Sequence, residues 1–415
     1  MADWKEEYGD LPLLRREPYL FFFPLGGLLL WAGILHWLLF ALGWTPRYRP
    51  LFHSSAQVQG FLSAFACGFL FTALPRRTSS PPPATFLVLL GLAAPPLATV
   101  LSALGFQDAG LAVWSALALC LLGFSLRRLR PPFARRRAPD CFVWIPASLG
   151  AGLAGAAILG FAPSFLEGAE GLLVANPWVH LGRGLLLEGM FFGLVLGLGG
   201  MVLPLLMRGA PVPDMSPATW GRRGLHLACI LLLVASFFLQ HGLLLGSSEA
   251  EPKLLRSVAF GLRGALALFL LLWSAELFRL PEKPGLHRRF LWFGTWMIPV
   301  GYFLAASLGD RFQAGLHLVF LLGFALPALS IGLHVTLAHG PRSELVGKPS
   351  LLTVLFGLFF FSAALGRILL ALDPSRGPFW LGLSSALLLL STLPWFGRLL
   401  QGFPRRPLPQ GRGKN

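Results

Sequence analysis

Charge is what this chain has least of. Only 13% of its 415 residues are Asp, Glu, Lys or Arg, while 55% are hydrophobic. Soluble domains usually carry about 25% charged residues, and so few polar side chains cannot cover a water-soluble globule of this length. Cysteine is scarce as well. Cys67, Cys120, Cys141 and Cys229 are scattered, with no C-x-x-C and no C-x-x-C-H, which excludes a thiolate zinc site or covalent haem attachment by the usual motifs. The four thiols are left to pack among helices. There is no soluble domain, no long linker and no low-complexity tract beyond the short "SSPPPA" turn. The start, "MADWKEEYGDLPLLRREPYL", is polar and mixed in charge, unlike a cleavable signal peptide.

Long apolar runs, by contrast, recur along the whole chain. Twelve of them, roughly 20–43, 53–75, 85–104, 108–126, 141–165, 179–206, 224–246, 257–279, 290–308, 313–338, 351–373 and 378–400, are each long enough to cross a bilayer core. The Pro95–Pro96 pair makes the third the least regular. The expected fold is all-α, a polytopic membrane protein of about twelve transmembrane helices. It divides into a cytoplasmic N-terminal segment (1–19), one transmembrane domain (20–400) and a basic cytoplasmic tail (401–415).

A net charge of +16 first suggests nucleic acid, but its placement argues otherwise. With the N-terminus inside, the loops after even-numbered helices and the tail hold 21 Lys or Arg, whereas the loops after odd-numbered helices hold six. This is the positive-inside bias. It places both termini in the cytoplasm, and the expected location is an inner (cytoplasmic) membrane. The run "RRLRPPFARRR" sets topology or touches anionic lipid, so the expected partner is the bilayer and not nucleic acid.

One short stretch raises a question of chemistry. "FHSSAQVQGFLSAFACGFLFTALPRR" is an apolar helix that opens on His53, where a serine would cap more readily. Similar segments open near His180 and His317, 127 and 137 residues further along. Grouped in fours, these are the second, sixth and tenth helices, which suggests a pseudo-threefold repeat of four-helix units. Titratable groups at membrane depth are costly and mark sites. The outer third of the bundle is expected to hold His36, His53, His180, His241, His317 and the arginines Arg183, Arg263 and Arg367, with Glu188 deeper. Neutral imidazole suits haem iron and copper, and arginines at the same depth suit the carboxylates of a bound group, such as haem propionates. Haem between the second and tenth helices would take His53 and His317 as axial ligands. His180 and His241 would form or help form a second metal site.

The chain resembles the NnrS family, bacterial membrane proteins tied to nitric-oxide metabolism and described as containing haem and copper. The likeness rests on four stretches. "EPYLFFFPLGGLLLWAGILHWLLF" resembles the opening helix, and "FHSSAQVQGFLSAFACGFLFTAL" a W-H-A-H-E-M helix. "LGLGGMVLPLLMRG" resembles G-G-R-x-I-P-x-F-T-R-N, and "GLHLVFLLGFALPALSIGLHVTLAHGPR" an L-H…R-V-T-L-G-H-T-G-R helix. His53, His317, His339, Pro204, Arg208 and Arg342 keep that pattern. Ser55, Ala56, Met201, Met207 and His334 depart from it, replacing a histidine, a glutamate, an arginine, a threonine and an arginine. The resemblance implies haem, copper and a role in nitric-oxide tolerance or denitrification, with nitric oxide or a respiratory partner. Losing a histidine and a carboxylate at Ser55 and Ala56 weakens copper more than haem.

The arrangement is analogous to haem–copper oxidases and nitric-oxide reductases, whose ligands lie on the second, sixth, seventh and tenth helices. Their adjacent His-His pair and their H-x-H are absent here, which argues against a reducing enzyme. Two further readings belong to other classes. One is a transporter or channel with the outer His/Arg cluster as an entry site, its discontinuous helices hinted at by Pro95–Pro96, Pro163, Pro204 and Pro327. The other is a non-catalytic membrane subunit with degenerate ligands.

Overall fold

The structure is a computed structural model that describes residues 7–161, 176–209, 220–244 and 252–404. The outermost parts of the expected N-terminal segment and basic tail lie outside the described residues, as does Pro163. Twelve helices carry the fold, and among the described residues there is no strand. They are α1 Tyr19–Ala41, α2 Pro50–Thr78, α3 Thr85–Leu104, α4 Gln107–Arg128, α5 Asp140–Gly160, α6 Pro177–Arg208, α7 Gly221–Gln240, α8 Lys253–Trp273, α9 Leu286–Ser307, α10 Gly309–His339, α11 Leu351–Leu372 and α12 Pro374–Leu400. Each has 20 to 32 residues, so at 1.5 Å per residue the shortest spans about 30 Å, the thickness of a bilayer core. In lipid the backbone must satisfy its own hydrogen bonds, and helices do so within each span. The chain is therefore a multi-pass, all-α membrane protein. α3 runs unbroken through Pro95 and Pro96; losing two ladder donors does not end a helix that neighbouring helices enclose.

Burial separates three helices from the rest. The apolar windows of α2, α6 and α10 are 83%, 67% and 61% buried, whereas those of the other nine are between 33% and 50% buried. Nine helices ring three, and their packing follows one order. α1 lies on α2 and α12, α5 on α6 and α4, and α9 on α10 and α8. With lipid as solvent, close packing rather than water exclusion holds such helices together. Aromatic contacts supply much of it. Phe23 stacks on Phe65 with ring centroids 5.0 Å apart, and the buried Trp395 donates its Nε1–H to the Leu329 carbonyl at 3.0 Å.

Each inner helix carries two further features near its histidine. The first is a close crossing made possible by glycine. A Cβ on Gly33 of α1 would lie 3.2 Å from the His53 carbonyl oxygen. On Gly155 of α5 it would lie 2.4 Å from that of Gly182, and on Gly301 of α9, 2.7 Å from that of Gly315. The second is a π-helical stretch: Ala56–Leu62 in α2, Leu185–Gly189 in α6 and Leu318–Ala325 in α10. π turns insert an extra residue, shift the phase of the helix and often mark functional sites.

The ends of the even-numbered helices share one face. There the backbone N–H groups of Arg135 and Arg136 both reach the Thr78 carbonyl at 3.0 Å. The N–H groups of Glu282 and Lys283 reach that of Met207 at 3.0 and 2.9 Å. Arg208 pairs with Glu276 at 3.0 Å, and Arg76 with Glu17 at 2.6 Å. This basic face lies opposite the ends at which α2, α6 and α10 begin, where Lys253 meets Asp310 at 2.8 Å and Arg49 donates to the Ala103 carbonyl at 2.7 Å.

Candidate cofactor site

A cavity of about 220 Å³ opens between α1, α2, α10, α11 and α12, toward the face opposite the basic one. His53, His317 and Arg367 all line it, amid apolar wall residues that include Ile34, Phe61, Phe320 and Leu388. Both imidazoles are half-buried. His53 Nδ1 lies 3.2 Å from the Gly33 carbonyl oxygen, the same glycine that lets α1 and α2 touch. His317 Nδ1 lies 2.7 Å from the Gln313 carbonyl oxygen. Arg367 Nη2 approaches His317 Nε2 at 2.7 Å. A guanidinium has no acceptor, so it donates, and Nε2 of His317 must be the lone-pair nitrogen with the proton on Nδ1. The same tautomer follows at His53, where a carbonyl can only accept. Anchoring one ring nitrogen on a backbone carbonyl and offering the other is how proteins hold ligating histidines.

Trp37 connects these groups. Its ring stands edge-on to His53 at 4.8 Å, the Arg367 guanidinium lies 5.1 Å from its centroid, and Tyr48 packs on it at 4.4 Å. Burial pushes the Tyr48 hydroxyl above its ordinary pKa, keeping it neutral. The Trp37 indole N–H is buried and lacks an acceptor. In sequence its one mark is its place beside His36.

The other expected site residues are elsewhere. Arg183 lines a separate polar cavity of about 60 Å³ with Ser54, Ser55 and Gln59. Ser55 there hydrogen-bonds Gln59. His180 and His241 stack with centroids 5.7 Å apart and planes 24° from parallel. Arg263 does not serve an outside carboxylate: it binds the chain's own Glu188 at 2.7 Å. It also donates to the Ser236 hydroxyl at 2.9 Å and lies 3.6 Å from the Phe237 ring centroid. Tyr302 donates to the same Glu188 oxygen at 2.9 Å. Glu188 sits within the π stretch of α6, and its partners come from α8 and α9.

As a test of cofactor fit, the donor set suits a haem iron in part: on one apolar cavity His53 offers its Nε2 lone pair, whereas that of His317 accepts from Arg367 and is released only when this guanidinium turns to an acidic substituent, for which the orphaned Trp37 indole N–H is a second donor. Space is the stricter criterion, since ligand pockets usually start at about 300 Å³. The main cavity, at about 220 Å³, falls short of that, and a second, apolar cavity of about 100 Å³ lies on the other side of Leu62. Copper fits less well. Among the described residues no three His, Cys, Asp or Glu side chains gather as a metal set.

These features define a polytopic helical membrane protein with an imidazole-lined cavity near one face. The family model described as NnrS protein matches residues 13–405, nearly the whole chain, and the chain belongs to that family. A search of curated proteins finds no match.

Proposed function

We propose that this protein is a haem-binding inner-membrane protein of the NnrS type, contributing to nitric-oxide tolerance or denitrification. The convergence of His53 and His317 on one cavity carries the reading, with each ring held through Nδ1 by a backbone carbonyl. In this reading His53 and His317 hold the iron. Arg367 and the Trp37 N–H take the acidic edge of the macrocycle, while Phe61, Phe320 and Leu388 exclude water. Bound haem would supply an iron centre with affinity for nitric oxide. Arg183 stands at the adjoining polar cavity, which shares Ser54 and Leu187 with the main one, and it serves entry rather than ligation. Arg263, His180 and His241 brace α6 against α7, α8 and α9 and hold no copper. The basic face is cytoplasmic, so both termini are too, and the cavity opens toward the outside. The three four-helix groups are equivalent units, a view supported by the recurring glycine crossings and π stretches.

The test is an optical spectrum of the detergent-purified protein from haem-replete membranes. A Soret band with split α/β bands on reduction, displaced by nitric oxide, is the expected result. A colourless protein that moves solute in liposomes overturns it in favour of transport. One that is colourless, inert and held by a partner overturns it in favour of a degenerate subunit.

A further inference from the structure

We propose a separate metal site at the basic face, formed by His287 and His334, that takes a first-row transition-metal ion such as zinc, cobalt or copper. His287 is the second residue of α9, and His334 lies near the end of α10. Their facing nitrogens, Nε2 of His287 and Nδ1 of His334, are 3.2 Å apart. Both rings are buried, at 4% and 9% exposure, with centroids 5.4 Å apart and planes 40° from parallel. His317 and His334 stand 17 residues apart on α10, or about 25 Å along a helix, so this pair is remote from the cavity described above.

The separation has a chemical meaning. Two imidazole nitrogens at about 2.0–2.1 Å from a tetrahedral ion lie about 3.3–3.4 Å from each other. The observed gap is within a tenth or two of an ångström of that bite. Without an ion the two nitrogens share one hydrogen bond; an ion enters when each ring carries its proton on the nitrogen facing away, leaving two lone pairs in the gap. The seat for His287 is built into the backbone. Gly285 has φ +131°, and a Cβ there would lie 2.8 Å from the imidazole Cε1. Two cations stand near. Arg398 directs Nη2 onto the Leu345 and Lys348 carbonyls at 2.6 and 3.4 Å, and Arg288 directs Nη1 onto the Pro284 carbonyl. Their carbonyl partners offset part of the repulsion that a metal ion would meet. On the resemblance described above, the family pattern carries an arginine at position 334, so this pair is a property of this chain.

Chelator-treated full-length protein, titrated with cobalt(II) and followed by its ligand-field bands, tests the site. Wild type, His317→Ala and His180→Ala are expected to bind one equivalent with nitrogen-type bands. His287→Gln and His334→Arg are expected to lose it while keeping their helical circular dichroism and elution volume. Undiminished binding in both of those variants overturns the site. So does loss of the bands only in His317→Ala or His180→Ala, which would assign the ion to the opposite face. If His334→Arg fails to fold, His287→Gln decides alone.

Discussion

Two of the polar regions among the described residues, those around Glu188 and around His53 and His317, handle buried polarity in different ways. Around Glu188 the two opposite charges meet within the chain, with Nη2 of Arg263 alone left without an acceptor. Arg263, Tyr302 and Ser236 close on it or on each other at 2.7–2.9 Å, drawing four helices together. Around His53 and His317 the groups stay incompletely answered. Their Nδ1 atoms are anchored and both rings line a cavity, where Nε2 of His317 takes a hydrogen bond from Arg367, Nε2 of His53 takes none, and the Trp37 N–H has no acceptor. Polarity that is satisfied internally is cement; polarity left facing a space is a site. An unpaired polar group in a low-dielectric interior is costly, and around His53 and His317 such a group stands beside a cavity that could hold a partner for it.

That contrast can be broken by substitution. The largest effect is expected from His53→Ala or His317→Ala, which should abolish the Soret band while leaving the melting temperature in detergent nearly unchanged. If the band survives either change, the cavity is not the haem site. Next comes Glu188→Ala, which strands Arg263 in the interior. Breaking a buried pair costs about 3–5 kcal/mol, so a large drop in melting temperature is expected, with the Soret maximum unmoved. Should Glu188→Ala bleach the protein without destabilising it, the roles of the two regions would be reversed. Glu188→Gln keeps an acceptor for Tyr302 and should fall between. Gly301→Ala pushes a methyl group against Gly315 and Val319, just ahead of His317. Overpacking costs about 1–3 kcal/mol, and the displaced imidazole should also weaken haem retention on gel filtration. The smallest effect is expected at Ser55→Ala, which removes one hydrogen bond to Gln59 worth about 0.5–1.5 kcal/mol, read as a slight lowering of the melt with an intact spectrum.

Much of the architecture was legible because a bilayer imposes a length and a polarity on every span. All twelve helices could be read from apolar runs, including α3 with its two prolines. The site was only partly legible. His53 and His317 stood out by their place at the head of apolar helices. The role of Arg263 did not, because its partner lies 75 residues away, and no local spacing encodes a contact between α6 and α8. The π stretches were hidden for a related reason. Five residues apart, Arg183 and Glu188 would not share one face of an ideal α-helix, yet Leu185–Gly189 shifts that phase between them. His287 drew no attention because it sits at a helix end, where histidines are unremarkable.

The sequence alone determined that this chain must live in lipid, how often it crosses and which loops share a charge, since each follows from composition along one dimension. Only the tertiary structure decided which buried charges neutralise one another and which nitrogens face an open space. Those outcomes depend on helices distant in sequence meeting at glycine crossings, where a few tenths of an ångström determine what touches what.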